Sequence, residues 1–468
     1  MNKIFKILIC CSLIAFNSKN LLCAICQVEA QYNSIRQNYI KQNHPNIPMI
    51  GIACSGGGNR AAISTLGFIL GAKRIGILDT TSYFTALSGS TWSLCYLLAN
   101  KTSSDMDSLT KIKNNLKQNL QHSFIDDDIL NDIFSEKIRA IDTWGKLIAN
   151  QVFHTNKELS NTKYSQLLPQ DPTSFPFPIC TAALNLSKYT SIFCLPWFHK
   201  NFYEMADVSP CCIWSDFLNC GCSMDNLEKS LEKEFSHPHN IDFFMALFGS
   251  AYSVNPTDVV KFLKEKVNSK IKKEQKTLST IWKEVVNSVN YGSVMPPLIP
   301  NFGKGQNNYL SKEDYLLIKD GGFISNIPLI PLIRRSCQII FICDSSDGCT
   351  DGKFTELQKV ARYLKKNYIQ FTSLKKPQSF TKKSNNLNVA TTMKIFYGEK
   401  ASQQVPYGKP TILYFYNKAK KTNGDVFQTT KFKYKEEQFE IVEKYMEESL
   451  VLFSDEIWKI INNPYKKI

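Results

Sequence analysis

Three short segments carry residue types that together could perform acyl chemistry. Ser88 stands in Thr85-Ala-Leu-Ser-Gly-Ser-Thr-Trp92, flanked by small residues, after a strand-like run and before a helix-like one. A serine on so sharp a strand-to-helix turn exposes its hydroxyl as a nucleophile, and the crowded backbone there needs slim neighbours. Ser90 in the same segment falls in the first turn of the following helix, where capping is the natural role for a serine, so Ser88 is the expected nucleophile. Upstream lies Ser55-Gly-Gly-Gly-Asn-Arg60, where Gly57 and Gly58 can aim backbone N–H groups at an oxyanion. Arg60, two residues past the glycines, can hold a phosphate with its forked donors. Downstream, Lys319-Asp-Gly-Gly-Phe323 offers Asp320 as an uncrowded carboxylate base.

Each segment has a plainer reading. Asp-Gly also marks a bare type I′ turn. The glycine loop could bind a nucleotide, but it lacks both the Gly-Lys-Ser/Thr ending of a P-loop and the GxGxxG spacing of a dinucleotide loop. The six histidines are His44, His122, His154, His199, His237 and His239, and none lies beside an expected strand end or glycine motif. A Ser-Asp dyad is therefore simpler than a triad.

The elements that would position these residues follow an α/β grammar. Pro48–Cys54 reads as a buried strand and Arg60–Ile75 as a helix; Ser82–Leu87 is a second strand and Gly89–Asn100 a second helix. This order predicts a sheet with parallel strands. Further strands are expected at Phe175–Asn185, Tyr315–Lys319, Gln338–Cys343 and Ile412–Tyr416, with one amphipathic helix over Glu436–Asn463. Residues 196–305 read as irregular, an insertion or cap over the sheet, and residues 25–46 as a surface lead-in with a helical piece.

The chain has 468 residues, a 43% apolar composition and a net charge of +15. Lys3 and Lys6, the apolar stretch Ile7–Phe16 and Leu22-Cys-Ala24 predict a signal peptide over residues 1–24, hence export. No later run is long and apolar enough to span a bilayer. Twelve of the 15 cysteines follow that segment. Cys54, Cys95, Cys337 and Cys343 lie in apolar runs as small hydrophobes; Cys211, Cys212, Cys220 and Cys222 form a cluster suited to disulfides or thiols, with spacing poor for zinc. Residues 353–435 hold 18 Lys/Arg against 3 acids, a basic excess that attracts an anionic membrane surface or leaves a solvated face. Zinc-finger spacing and RNP-like aromatic motifs are missing, so no nucleic-acid partner is expected.

These segments resemble the catalytic domain of the cytosolic phospholipase A2 and fungal phospholipase B family and, more distantly, patatin. Ser55-Gly-Gly-Gly-Asn-Arg-Ala61 looks like the family's glycine loop, Leu87-Ser-Gly-Ser-Thr-Trp92 like its nucleophile elbow, and Asp320-Gly-Gly-Phe-Ile-Ser-Asn-Ile-Pro328 with Ile339–Ser345 like its aspartate segment and next strand; Phe248-Gly-Ser-Ala251 and Thr430–Tyr434 are lesser echoes. The resemblance implies a patatin-like three-layer α/β/α fold with a central mixed sheet and an inserted cap, in a catalytic domain over 47–463. It implies a phospholipase A or B that also accepts lysophospholipids, working through an acyl-enzyme. By motif match the nucleophile is Ser88, the base Asp320, the oxyanion donors Gly57 and Gly58, and the phosphate contact Arg60. No cofactor and no metal is implied, calcium-dependent docking included. A lipid acyltransferase on the same site and an inactive lipid-binding module are the rival readings. Ala86 departs from the family, which has glycine before the elbow.

Overall fold

The computed structural model describes residues 26–101, 104–122, 140–186, 203–216, 218–235, 239–250, 298–305, 312–346, 354–367, 369–384, 387, 390–402, 408–417 and 431–466. The strands are β1 (Ile50–Cys54), β2 (Thr81–Ala86), β3 (Phe177–Asn185), β4 (Tyr203–Val208), β5 (Cys212–Ser215), β6 (Cys220–Ser223), β7 (Leu298–Pro300), β8 (Tyr315–Asp320), β9 (Ile339–Asp344), β10 (Gln378–Lys382), β11 (Thr391–Phe396) and β12 (Thr411–Tyr416). The longer helices are α1 (Gln27–Asn43), α2 (Asn59–Arg74), α3 (Gly89–Ala99), α4 (Met106–Asn119), α5 (Ala140–Val152), α6 (Met224–Phe235), α7 (Ile241–Phe248), α8 (Thr355–Lys366), α9 (Glu436–Val451) and α10 (Ser454–Asn462).

The strands form one mixed sheet in the order β10-β11-β12-β9-β1-β2-β3-β4-β5-β6, with β8 on β3 and β7 on β8. The pairs β12–β9, β9–β1, β1–β2 and β2–β3 are parallel, which makes a central parallel block; the flanks are antiparallel. The parallel block is buried on both faces, as its continuous apolar runs require. Along β9, Ile339, Phe341 and Cys343 enter one core cluster while Ile340 and Ile342 enter the other. Residues of α2, α3 and α9 pack into the first cluster, and Tyr32 of α1 with Leu357, Val360 and Leu364 of α8 into the second. The result is the three-layer α/β/α arrangement expected from the family resemblance.

Two differences from the sequence reading have local causes. Residues 203–223, read as irregular, contribute three antiparallel strands that extend the sheet. The same expected cap also holds α6, α7 and β7, while its stretch 251–297 lies outside the described residues, as does the segment 1–25. The single helix expected over Glu436–Asn463 is two: Lys382 Nζ donates to the Leu452 carbonyl at 2.8 Å and pairs with Glu456, and the buried Phe453 caps the second helix. The Lys382 ammonium, from a distant segment, takes a carbonyl that a continuous helix would have used.

Helix α2, whose N-terminus receives the glycine loop, is held from behind by α9. A Cβ at Gly67 would lie 2.2 Å from the Glu443 carbonyl oxygen, and one at Gly71 2.7 Å from that of Glu447, so the two helices touch backbone to backbone. Buried ion pairs fasten α1 to the sheet. Arg335 takes Glu29 at 2.5 Å and Asp207 at 2.6 Å, and Arg334 takes Asp207 at 2.9 Å. Arg36 donates to the Leu78, Thr81, Pro172 and Thr173 carbonyls.

The α2–α9 seam also buries Glu443, whose pKa rises from 4.5 to about 8, chiefly through desolvation and further through Glu447; Lys113 and Lys444 oppose the rise. The native state thus prefers the protonated acid. Its contribution is fully present below about pH 4.5 and is lost as pH rises through about 8. Glu443→Gln should match the wild type in urea unfolding at pH 5 and be more stable than it at pH 9; equal pH slopes for the two proteins would contradict this.

Candidate active site

The carboxyl ends of parallel strands are where open α/β sheets build sites. Here β1 runs out into Ser55 and the glycines, β2 into Ser88, and β9 into Ser345. The geometry that brings Asp320 to the same place lies in the register of β3. Its first half pairs with β2, ending Ala86↔Cys180; its second half pairs on the same side with β8, beginning Ala182↔Asp320. The other side of β3 is taken throughout 180–185 by β4. Strands β2 and β8 therefore approach each other head-on along β3, with their ends two residues apart on it, about 7 Å at strand rise. Ser88 leaves one end and Asp320 the other.

Ser88 has φ 54 and ψ −126, a left-handed conformation that only a forced turn imposes on a serine, and it is 8% exposed. Its carbonyl accepts from Thr91 N–H at 2.9 Å and from Thr91 Oγ1 at 2.5 Å. Ala86 sits in β2, fully buried and without positive φ, so the methyl that departs from the family pattern asks nothing unusual of the backbone. Ser90 is not the expected helix cap. Its Oγ accepts from Leu87 N–H at 2.9 Å and reaches the carbonyls of Cys54 and Leu87 at 2.8 Å each, which ties the elbow to the end of β1.

The glycine loop needs its glycines. Gly57 has φ 146 and Gly58 φ 62, ψ −149. A Cβ at Gly57 would meet Arg60 Nη2 at 2.8 Å and the Ser345 carbonyl at 2.7 Å. The loop and the elbow interlock: a Cβ at Gly89 would fall 1.9 Å from the Gly58 carbonyl oxygen. Gly58's carbonyl takes the Ala61 and Ala62 N–H groups, while among the described residues no acceptor takes the N–H of Gly57 or Gly58. Those amides stand at the start of α2, where helix polarity favours a negative oxygen.

Asp320 is 1% exposed; its Oδ1 accepts from Gly322 N–H at 2.8 Å and its N–H donates to Ser250 Oγ at 3.0 Å. Leu87 touches both neighbouring segments, lying 2.8 Å from a Cβ at Gly56 and 3.0 Å from one at Gly321. Asn326 Oδ1 likewise falls 3.0 Å from a Cβ at Gly56 and 2.8 Å from one at Gly322, and the Asn326 carbonyl accepts from Gly56 N–H at 3.0 Å. So the serine, glycine and aspartate segments form one contiguous site. Arg60 is buried beside it, donating from Nε to the Ser345 carbonyl at 2.7 Å.

Ser250, Asn326, Ser55 and Ser345 are site residues that sequence reasoning did not assign. Ser345 N–H donates to Ser55 Oγ at 2.6 Å, which ties β9 to the glycine loop. Ser250 and Asn326 carried a signal, since both stand in the family-like segments, but neither spacing nor residue type revealed which partner each holds. Of the histidines, His122 stacks on His154, His44 faces Trp458 and His239 lies 4.0 Å from Asp142; none of these contacts is with Ser88 or Asp320. His199 and His237 lie outside the described residues.

A strained serine on a strand-to-helix elbow, set beside a glycine loop and an aspartate in a three-layer α/β/α arrangement, is characteristic of a patatin-like α/β fold. A family model described as the lysophospholipase catalytic domain matches residues 50–444, and the chain belongs to that family. It is 26% identical to Lysophospholipase 1 of Candida albicans over 80% of this chain and 67% of that protein, and 27% identical to Cytosolic phospholipase A2 delta of Mus musculus over 28% of this chain and 17% of that one. In structure it is similar to human GIVD cytosolic phospholipase A2, with a TM-score of 0.68 at 19% identity, covering 93% of this chain and 67% of that one. The matched stretch is thus about two thirds or less of each of these proteins.

The interlock predicts that Gly89→Ala pushes the glycine loop off the elbow and lowers kcat/KM on an ester substrate by at least ~100-fold, the usual cost of misplacing a site by about an ångström. Ser90→Ala should instead lower the melting temperature and keep most of the turnover. The reverse order of the two activities would show that Ser90, not the elbow contact, matters to the chemistry.

Proposed function

We propose that the protein hydrolyses the acyl esters of glycerophospholipids and lysophospholipids through a Ser88 acyl-enzyme with Asp320 as general base. The observation that carries this reading is the head-on meeting of β2 and β8 along β3, which brings a strained serine toward a carboxylate beside the glycine loop that follows β1. Ser88 Oγ attacks the ester carbonyl as Asp320 takes its proton, and the Gly57 and Gly58 amides hold the oxyanion. Collapse expels the alcohol portion of the lipid with the proton from Asp320. Water, deprotonated by Asp320, then releases the fatty acid and restores the serine. In this reading Arg60 contributes a positive charge beside the glycine loop for the lipid phosphate.

The leading segment with Lys3, Lys6 and Ile7–Phe16 supports export. Adsorption to an anionic bilayer is supported by exposed basic residues, among them Lys375, Lys376 and Lys383. Lys382 is different, since it pairs with Glu456 and lies over the Phe453 ring. Among the described residues no helix is long and apolar enough to cross a membrane.

Ser88→Ala and Asp320→Asn should each cost at least ~1,000-fold in turnover of lysophosphatidylcholine while the proteins stay folded by circular dichroism. Activity should persist in excess calcium chelator. Wild-type turnover in either variant would end the dyad reading, and a histidine variant as inactive as Asp320→Asn would replace it with a triad. Reversing the charge of Lys375, Lys376 and Lys383 should lower activity on phosphatidylserine vesicles at low salt and spare a soluble short-chain ester; equal losses on both would remove the basic face from the account.

A further inference from the structure

Three sulfur atoms meet where the turn after β4 reaches the start of α1. Cys211 follows β4, whose Val208 pairs with Cys180 while Tyr203 pairs with Asn185, so the chain there has run back toward the amino ends of the parallel strands. Cys26 Sγ, from the start of α1, lies 3.0 Å from Cys211 Sγ, and Cys211 Sγ lies 3.8 Å from Cys212 Sγ. All three sulfurs are within 4.8 Å of one another and none is deeply buried. Ser209 Oγ is 3.1 Å from Cys211 Sγ. Sequence spacing had grouped Cys211 and Cys212 with Cys220 and Cys222; the fold instead brings in a cysteine from 185 residues away.

Two chemistries suit such a cluster, and the distances separate them. Zinc thiolates with Zn–S of about 2.3 Å hold their sulfurs about 3.8 Å apart at a tetrahedral centre, and a closed structural site needs four ligands. The Cys211–Cys212 distance fits that edge, but the Cys26–Cys211 distance is far too short for it, and no histidine or fourth cysteine joins the group among the described residues. A sulfur pair this close from two distant segments has the approach that a disulfide completes. Cys26 is also placed to start the reaction. It caps α1, and its sulfur accepts from Glu29 N–H at 3.4 Å, so the helix N-terminus favours the thiolate, the attacking form.

We propose that Cys26 and Cys211 are a redox-active pair that closes to a disulfide and staples the N-terminal helix to the sheet, with Cys212 left as a thiol. The oxidant is a disulfide carrier, RS–SR. The Cys26 thiolate attacks one carrier sulfur, forming Cys26–S–SR and expelling one thiolate; Cys211 then attacks the Cys26 sulfur, forming the protein disulfide and expelling the second. The two thiol protons end on two RSH. The link closes a long loop and anchors the helix that bears Glu29 and Arg36, whose partners reach Arg335 and the start of β2.

The test uses the full purified chain held in oxidised or reduced glutathione, then alkylated, digested without reduction and fragmented by mass spectrometry. A link between Cys26 and Cys211 is expected in the oxidised sample, with a melting temperature about 4 °C above the reduced sample for a chain this large. Cys26→Ser and Cys211→Ser should each abolish the link and the difference, Cys212→Ser should keep both, and hydrolysis of a soluble ester at 25 °C should not change. Free alkylation of Cys26 and Cys211 in the oxidised sample, or a link that uses Cys212 instead, would overturn the proposal. So would stoichiometric zinc in the reduced protein that is lost in Cys26→Ser. The reduced wild type supplies the comparison even where a serine variant folds poorly.

Discussion

The site depends on β3 changing partners halfway along. One edge of that strand is long enough for two neighbours in sequence, β2 arriving parallel and β8 arriving antiparallel. Because the two run toward each other, whatever follows β2 must turn away sharply, and whatever ends β8 must stop. The sharp turn is the strained Ser88, and the stop is Asp320. A single continuous neighbour for β3 would have left no gap in which a hydroxyl and a carboxylate could meet. Backbone hydrogen bonding along β3 thus sets the separation of the Ser88 and Asp320 segments.

Around that gap the tolerances are set by backbone against backbone. Gly89 abuts the Gly58 carbonyl, and Gly67 and Gly71 abut carbonyls of α9, so the helix whose first amides face the serine is clamped at both ends. The polar ties are short and mostly neutral: Ser90 to Cys54, Ser345 to Ser55, Asn326 to Gly56 and Asp320 to Ser250. Neutral ties suit a buried site because they satisfy donors without adding a second charge to compete with Asp320. The charged network of Glu29, Asp207, Arg334 and Arg335 instead serves α1, which it secures to β4.

Much of this was legible in the residues. The alternation of strand, loop and helix through residue 100 and the three segments around Ser55, Ser88 and Asp320 show their geometry locally, because turn chemistry and apolar runs are short-range properties. What stayed hidden depends on register. Nothing in Phe177–Asn185 says that its partner changes, and nothing in 203–223 separates an extra sheet flank from irregular chain. Ser90 looked like a cap because its distance to the Cys54 carbonyl is a tertiary fact. The break between α9 and α10 has no glycine or proline to announce it; a lysine 70 residues away binds the Leu452 carbonyl there. Cys26 had no sequence neighbour to suggest Cys211.

Covalent trapping tests the central claim most directly. A lipid fluorophosphonate phosphonylates a serine only where a base and an oxyanion site activate it, and the modified peptide can be read by mass spectrometry. One adduct per chain is expected, on Ser88, with labelling slowed sharply in Asp320→Asn while the protein remains folded. An adduct on another residue that abolishes hydrolysis, or labelling of Ser88 at the wild-type rate in Asp320→Asn, would contradict it.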